Sequence, residues 1–166
     1  MPNDKPTTQP MIDYTDIRLL RELQKNAKLT TKELGDRINL STSPTFERQK
    51  RLEREGYITH YVAKVDHRKL GNNLVVFCNI RLKQHSKKLG EEFVAEMNKI
   101  SEVTECYNTS GGYDYLIKIY LRDMEHYHDF VYNTLGVIDC IGSLHSVFVI
   151  AEEKANSGIP VALEIV

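Results

Sequence analysis

Two helix-start signals close together near the amino terminus constrain this chain more than any other feature. Thr30-Thr31-Lys32-Glu33 has the capping-box pattern, in which a hydroxyl and a carboxylate each satisfy a backbone N–H that would otherwise lack a partner. Ser43 followed by Pro44 marks the second start, a capping hydroxyl and then a proline whose missing N–H costs nothing in a first turn. Between them Leu34 and Ile38 give a helix of only about two turns, and Asn39-Leu40-Ser41 makes a tight turn. The helix opened by Ser43 ends at Gly56, a residue suited to a left-handed C-cap. A further helix precedes both. Asp13 caps it, Asp16 favours the positive end of its dipole, and Ile17, Leu20, Leu23 and Ala27 form one apolar stripe. Two short helices, a tight turn and a third helix predict a helix-turn-helix.

What the third helix leaves exposed bears on its role. With Phe46 as reference and ~100° per residue, Gln49, Leu52 and Glu53 fall on the same side, while Glu47, Arg48, Lys50, Arg51 and Arg54 project away. Four cations on a free helical face match phosphate oxygens and guanine edges. Thr42, Ser43 and Thr45 lie at the end where such helices meet bases or phosphates. The competing reading is a solvated face on which Glu47, Glu53 and Glu55 pair with these cations. If the face reads DNA, Arg48→Ala and Arg51→Ala weaken binding without unfolding the chain. Residues 57–65 alternate and are rich in β-branched and aromatic types, which predicts a strand leaving the module as a wing or linker. Residues 66–73, with Gly71-Asn72-Asn73, are the expected hinge.

The net charge of -1 over 166 residues hides a division. Residues 11–70 hold 13 Lys and Arg against 9 Asp and Glu, whereas residues 71–166 hold 8 against 13. A basic module joined to an acidic one suggests different partners. In the acidic part, Leu74 to Leu82 is β-branched and apolar, and Leu89, Phe93, Met97 and Ile100 recur at helical spacing. Residues 103–109 and 113–121 are strand-like and pair as a hairpin across Gly111-Gly112. Asp123 caps a helix carrying Met124, Tyr127, Val131 and Leu135, and residues 141–151 form a last strand with Leu144, Ser146, Phe148 and Ile150 on one face. This β-α-β-β-α-β order is that of the ferredoxin-like sandwich, whose second sheet face lacks a cover and would be hidden by association of copies.

Other functions find little support. Six histidines show no metal-ligand spacing, and neither a nucleophile elbow, a phosphate loop nor a dinucleotide fingerprint is present, so no catalytic, cofactor or metal site is expected. Cys78, Cys106 and Cys140 are odd in number and widely spaced, which predicts buried thiols rather than disulfides. No apolar run approaches a membrane span and the first ten residues lack a signal-peptide core, so a cytoplasmic location without membrane contact is expected.

Several phrases together resemble one family. Ile12-Asp13 precedes the first helix, Leu40-Ser41 lies in the turn, and Arg51-Leu52-Glu53-Arg54-Glu55-Gly56-Tyr57-Ile58 closes the third helix. Most specific is Glu105-Cys106-Tyr107-Asn108-Thr109-Ser110-Gly111-Gly112-Tyr113-Asp114-Tyr115-Leu116. From Ile12 to Lys154 the chain resembles the Lrp/AsnC (feast/famine) transcriptional regulators, with the leucine-responsive branch nearest. The resemblance implies an α+β protein: a winged-helix-like helix-turn-helix DNA-binding domain over residues 11–65, a hinge over 66–73, a ferredoxin-like domain over 74–154 and a tail over 155–166. It also implies double-stranded DNA and an amino-acid effector as partners, and a homodimer that assembles further, often to octamers. In relatives the ligand sits between adjacent dimers near the signature loop, which by position points to Thr109, Ser110, Gly111, Gly112, Tyr113 and Asp114, with Ser146 as a further candidate. Asp114 would accept the effector's ammonium and the glycine-loop N–H groups would meet its carboxylate. From the residues alone, Asp114 equally well caps a turn. Two departures from the family stand out: Asp139-Cys140-Ile141 where relatives commonly have Pro-Gly-Val, and Gln49 at an aliphatic position. The alternative function is an amino-acid-sensing or oligomerising module with no direct role on DNA.

Overall fold

The computed structural model describes residues 12–155 and 158–161. It divides into two compact units, with boundaries after Lys64 and after Lys154, and Ala155 and residues 158–161 belong with the first unit.

In the first unit, α1 (Tyr14–Lys25) begins with a reciprocal cap: the Asp16 N–H donates to Asp13 and the Asp13 N–H donates to Asp16, at 2.8 and 2.9 Å. The helix stops at Lys25 because Asn26 turns its side chain back to accept from the Lys28 N–H at 3.0 Å. Ala27 therefore lies in an exposed turn rather than on the expected stripe, and Ile17, Leu19 and Leu23 are the buried apolar positions. The expected capping box opens α2 (Thr31–Ile38), and Asn39 closes it with φ of 62°. Arg18 of α1 donates to the carbonyl of Arg37 at 2.7 Å and lies 3.4 Å from that of Ile38, placing a cation on the negative end of α2.

The third helix, α3 (Thr42–Arg54), starts ahead of the predicted cap: Ser41 is the N-cap, and Ser43 and Pro44 are already helical. The proline is tolerated because the N–H it lacks would be among the first-turn donors that have no intrahelical acceptor. Leu19, Leu23, Leu34, Ile38 and Leu52 form the core of the unit. Gly56, with φ of 79°, turns the chain out of α3.

Two expectations about the connection fail. Residues 57–65 form no strand, since within the described residues nothing offers them a ladder of hydrogen bonds, and Val62 stays 72% exposed. Residues 66–73 are not a free hinge but a folded turn of the second unit. The Asn72 N–H donates to the His67 carbonyl at 2.9 Å, and the His67 ring meets Tyr120 edge-on at 5.0 Å.

The second unit is the expected sandwich: β1 (Leu74–Leu82), α4 (Lys87–Met97), β2 (Val103–Asn108), β3 (Tyr115–Leu121), α5 (Met124–Asp129) and β4 (Ile141–Phe148). The strands lie in the order β2-β3-β1-β4, all antiparallel, with Cys78 opposite both Ile117 and Ser146. Val76, Ile80, Ile117, Ile119 and Leu121 face Phe93 and Met97 of α4 and the Phe130 and Leu135 side chains that follow α5. Each such burial stabilises the fold by about 2 kcal/mol.

The stripe predicted for α5 is displaced. After Asp129 the helix widens into a π-helical segment over Phe130–Leu135, and the Gly136 N–H reaches the Val131 carbonyl at 2.8 Å. Phe130 and Leu135 then both point inward, while Met124 turns out to solvent. β4 ends at Phe148, short of the predicted Ala151, and Ile150 is almost wholly exposed. The outer sheet face is also less apolar than expected. Among Phe77, Leu116 and Tyr120 lies Lys118, whose ammonium is 5.8 Å from the Phe77 ring, 5.2 Å from the Tyr120 ring and 3.2 Å from Glu105. Of the tail, Gly158 to Val161 form no strand and Gly158 lies against Gln24 of α1, while the apolar run from Leu163 to Val166 falls outside the described residues.

Candidate nucleic-acid interface and ligand cleft

The face of α3 is rotated from the expected one by about one residue. Thr45, not Phe46, lies beside Leu52 in the core: Thr45 is fully buried and its hydroxyl donates to the Ser41 carbonyl at 2.8 Å. It holds the turn and is not available to a ligand. Gly35 of α2 explains why the turn is so tight, since a Cβ there would lie 2.6 Å from the Leu40 carbonyl oxygen and 3.0 Å from the Thr45 hydroxyl. Phe46 is 46% exposed.

Arg48 and Arg51 are likewise not on the free face. Arg48 donates to Asp13 at 2.6 Å and to Asp16 at 2.8 Å, and Arg51 donates to Asp16 at 2.5 Å and to Glu55 at 3.2 Å. Asp16 is completely buried. Burial pushes its carboxyl upward, but the Asp13 N–H, Arg51 and Arg48 together outweigh that and hold it below its ordinary 3.8. These two arginines fasten α3 to α1, so the expectation that either can be removed without structural cost is corrected.

Thr42, Ser43, Phe46, Glu47, Lys50 and Arg54 remain on the outward arc. Lys50 bonds Glu53 at 2.7 Å, and Arg54 forms no ion pair among the described residues. Gln49, the residue in an aliphatic position, donates its amide to the Tyr61 hydroxyl at 2.9 Å, and that hydroxyl donates to Glu53 at 2.9 Å. The segment leaving α3 is thereby tied to its flank.

In the second unit, Gly111 takes φ of 111° in the turn between β2 and β3, a conformation that glycine alone adopts freely. The turn is held from within. The Thr109 hydroxyl donates to the Tyr113 carbonyl at 3.0 Å, and the Arg81 guanidinium donates to the Gly112 carbonyl at 2.5 and 3.0 Å. Asp114 accepts from the Leu82 N–H at 2.8 Å and faces the His85 imidazole at 2.7 Å, leaving its side chain 13% exposed. The carboxylate thus ties the turn to the end of β1.

Beside it opens a cleft of about 650 Å³, bounded by Leu82, His85, Asn108, Asp114 and Tyr115 on one side and by Lys87, Gly90, Glu91, Val94 and Ala95 of α4, with its C-cap Asn98, on the other. Of the predicted ligand residues only Asp114 lines it; Thr109, Ser110, Gly111, Gly112 and Tyr113 lie in the adjoining turn. Ser146 is elsewhere, on the helix-facing side of β4 with its hydroxyl 3.2 Å from the Cys78 sulfur. The α4 wall was not foreseen. Gly90 is its one sequence signal: a Cβ there would lie 2.7 Å from the Tyr115 hydroxyl.

Comparison with known proteins agrees with both units. Residues 12–59 match the winged helix-turn-helix DNA-binding model and residues 75–159 match the Lrp/AsnC ligand binding domain. The chain is 32% identical over 151 residues to the transcriptional regulator AzlB of Bacillus subtilis, covering 91% of this chain and 96% of that one. It is 34% identical over 146 residues to the leucine-responsive regulatory protein of Escherichia coli K12, covering 88% and 89%. A transcriptional regulator from Neisseria meningitidis, solved in complex with L-Met, superposes with a TM-score of 0.87 at 33% identity over 90% of this chain and 97% of that one. A DNA-binding helix-turn-helix followed by a ligand-binding sandwich, matched along nearly its whole length, establishes that the chain belongs to the Lrp/AsnC family of transcriptional regulators.

Proposed function

We propose that α3 enters the major groove of double-stranded DNA by its outward arc, with Thr42, Ser43, Lys50 and Arg54 making the phosphate and base contacts while Arg48 and Arg51 brace the helix. The observation that carries this reading is the division of labour on α3: two cations are consumed by Asp16 and two point away from the core. Exposed cations displace counterions from the duplex, so affinity falls steeply with salt. Fluorescence anisotropy on duplexes selected by the protein from a random pool tests it. Lys50→Ala and Arg54→Ala each lower the salt slope by about 1; slopes equal to wild type would refute the placement.

The effector in this reading is an amino acid held at the cleft beside Asp114. Val94, Ala95 and Leu82 offer an apolar wall and Asp114 and Asn108 offer polar ends, which suits a zwitterion with an apolar side chain. The L-Met bound to the Neisseria relative supports that class. Ligand then changes how homodimers associate into higher assemblies, octamers among them, and so which spaced half-sites are bridged in the cytoplasm. Isothermal titration with the twenty amino acids, followed by sedimentation with and without any that bind, tests the effector. An unchanged sedimentation profile and no binding would remove it.

A further inference from the structure

We propose that Phe46 is a specificity-determining residue of the DNA contact, reading the 5-methyl group of a thymine in the major groove. The inference rests on the placement of α3 proposed above and adds what none of its polar contacts supply. Phe46 belongs to the outward arc with Ser43, Lys50 and Arg54, yet it is a large apolar ring left 46% exposed. The Lys50 ammonium lies 5.7 Å from the ring centroid, so cation and ring approach the same stretch of duplex as a pair. A cation suits the backbone or a guanine edge, but an aromatic ring has no hydrogen bond to offer a base edge. The one apolar group that the major groove presents is the thymine methyl. Phe46 is poised to touch it from the first half of the helix, where base contacts concentrate.

The test uses the full-length protein and the selected duplexes, with each thymine in turn replaced by deoxyuridine, which lacks only that methyl. At one or more positions per half-site, wild type loses about three- to fourfold in affinity, the effect of one buried methyl. Phe46→Leu keeps this sensitivity and Phe46→Ala abolishes it, while the melting temperature of each variant stays at the wild-type value. Ultraviolet crosslinking to 5-iododeoxyuridine at the sensitive position labels the peptide containing Phe46, which reports the contact even if Phe46→Ala binds too weakly to titrate. Indifference of wild type to every replacement would overturn the proposal, as would full methyl sensitivity in Phe46→Ala. A fall in assembled mass with Phe46→Ala and unchanged methyl sensitivity would assign the ring to a protein contact instead. Failure of the underlying placement reads differently, because Lys50→Ala and Arg54→Ala would then also bind like wild type.

Discussion

Asp16 is cut off from water, yet it stays ionised because two guanidinium groups and a backbone N–H answer its two oxygens. Removing it would leave Arg48 and Arg51 without their shared acceptor and α3 without its tie to α1. Fully buried ion pairs cost about 3–5 kcal/mol to break from one side. Here the arginine ends reach water, so Asp16→Asn should cost about 2 kcal/mol of first-unit stability. The same group sets an acid limit. Because the folded carboxyl lies below its ordinary 3.8, its contribution is complete above that pH and is lost as pH falls through the lower folded value. Urea titrations at several pH values should show a flat plateau at neutrality and a decline below about pH 4. In Asp16→Asn that decline should be shallower; an identical decline would mean that Asp16 does not supply it. No periodicity argument could have separated Arg48 and Arg51 from Lys50 and Arg54. All four lie off the apolar stripe, and the difference arises from a buried carboxylate on another helix.

Between elements, the packing of α2 against the start of α3 depends on the missing side chain at Gly35. Alanine there gains about 1 kcal/mol of helix propensity. Its methyl, however, meets a backbone oxygen that cannot swing away, and overpacking of this kind costs about 1–3 kcal/mol. Gly35→Ala should therefore melt at a lower temperature in calorimetry and weaken DNA binding, because the turn must open and α3 must tilt. A raised melting temperature would show that the turn relaxes freely. Elements with local signals were legible in the sequence: the Thr30–Glu33 capping box, the Asp13 cap and the whole of β1 follow from neighbouring residues alone. Two were not. Residues 57–65 have strand composition, but a strand exists only where a second strand accepts its hydrogen bonds, and composition carries no record of that partner. The π-helical stretch after α5 shifts burial from Met124 to Phe130, a change of period that a fixed ~100° step cannot anticipate.

For the molecule as a whole, the sequence showed two modules and the order of the sandwich, because charge and periodicity both change along the chain. The cleft was legible only at Asp114, since its other wall comes from α4, distant in sequence and without a motif. The position of the boundary was the larger displacement, and it has a measurable consequence. A cut before Leu74, at the end of the expected hinge, removes His67, whose ring packs edge-on against Tyr120 and lies 3.7 Å from Glu152. A cut before Val65 keeps both contacts and the hydrogen-bonded turn. An edge-to-face pair contributes about 1 kcal/mol beyond area. In a domain of this size, 1 kcal/mol moves the midpoint by about 4–8 °C. The fragment 65–154 should therefore melt at least that far above the fragment 74–154 in scanning calorimetry, and both should fail to bind the duplexes that the whole chain selects. Equal melting temperatures would return residues 66–73 to the role of a linker, and DNA binding by either fragment would move the interface off α3.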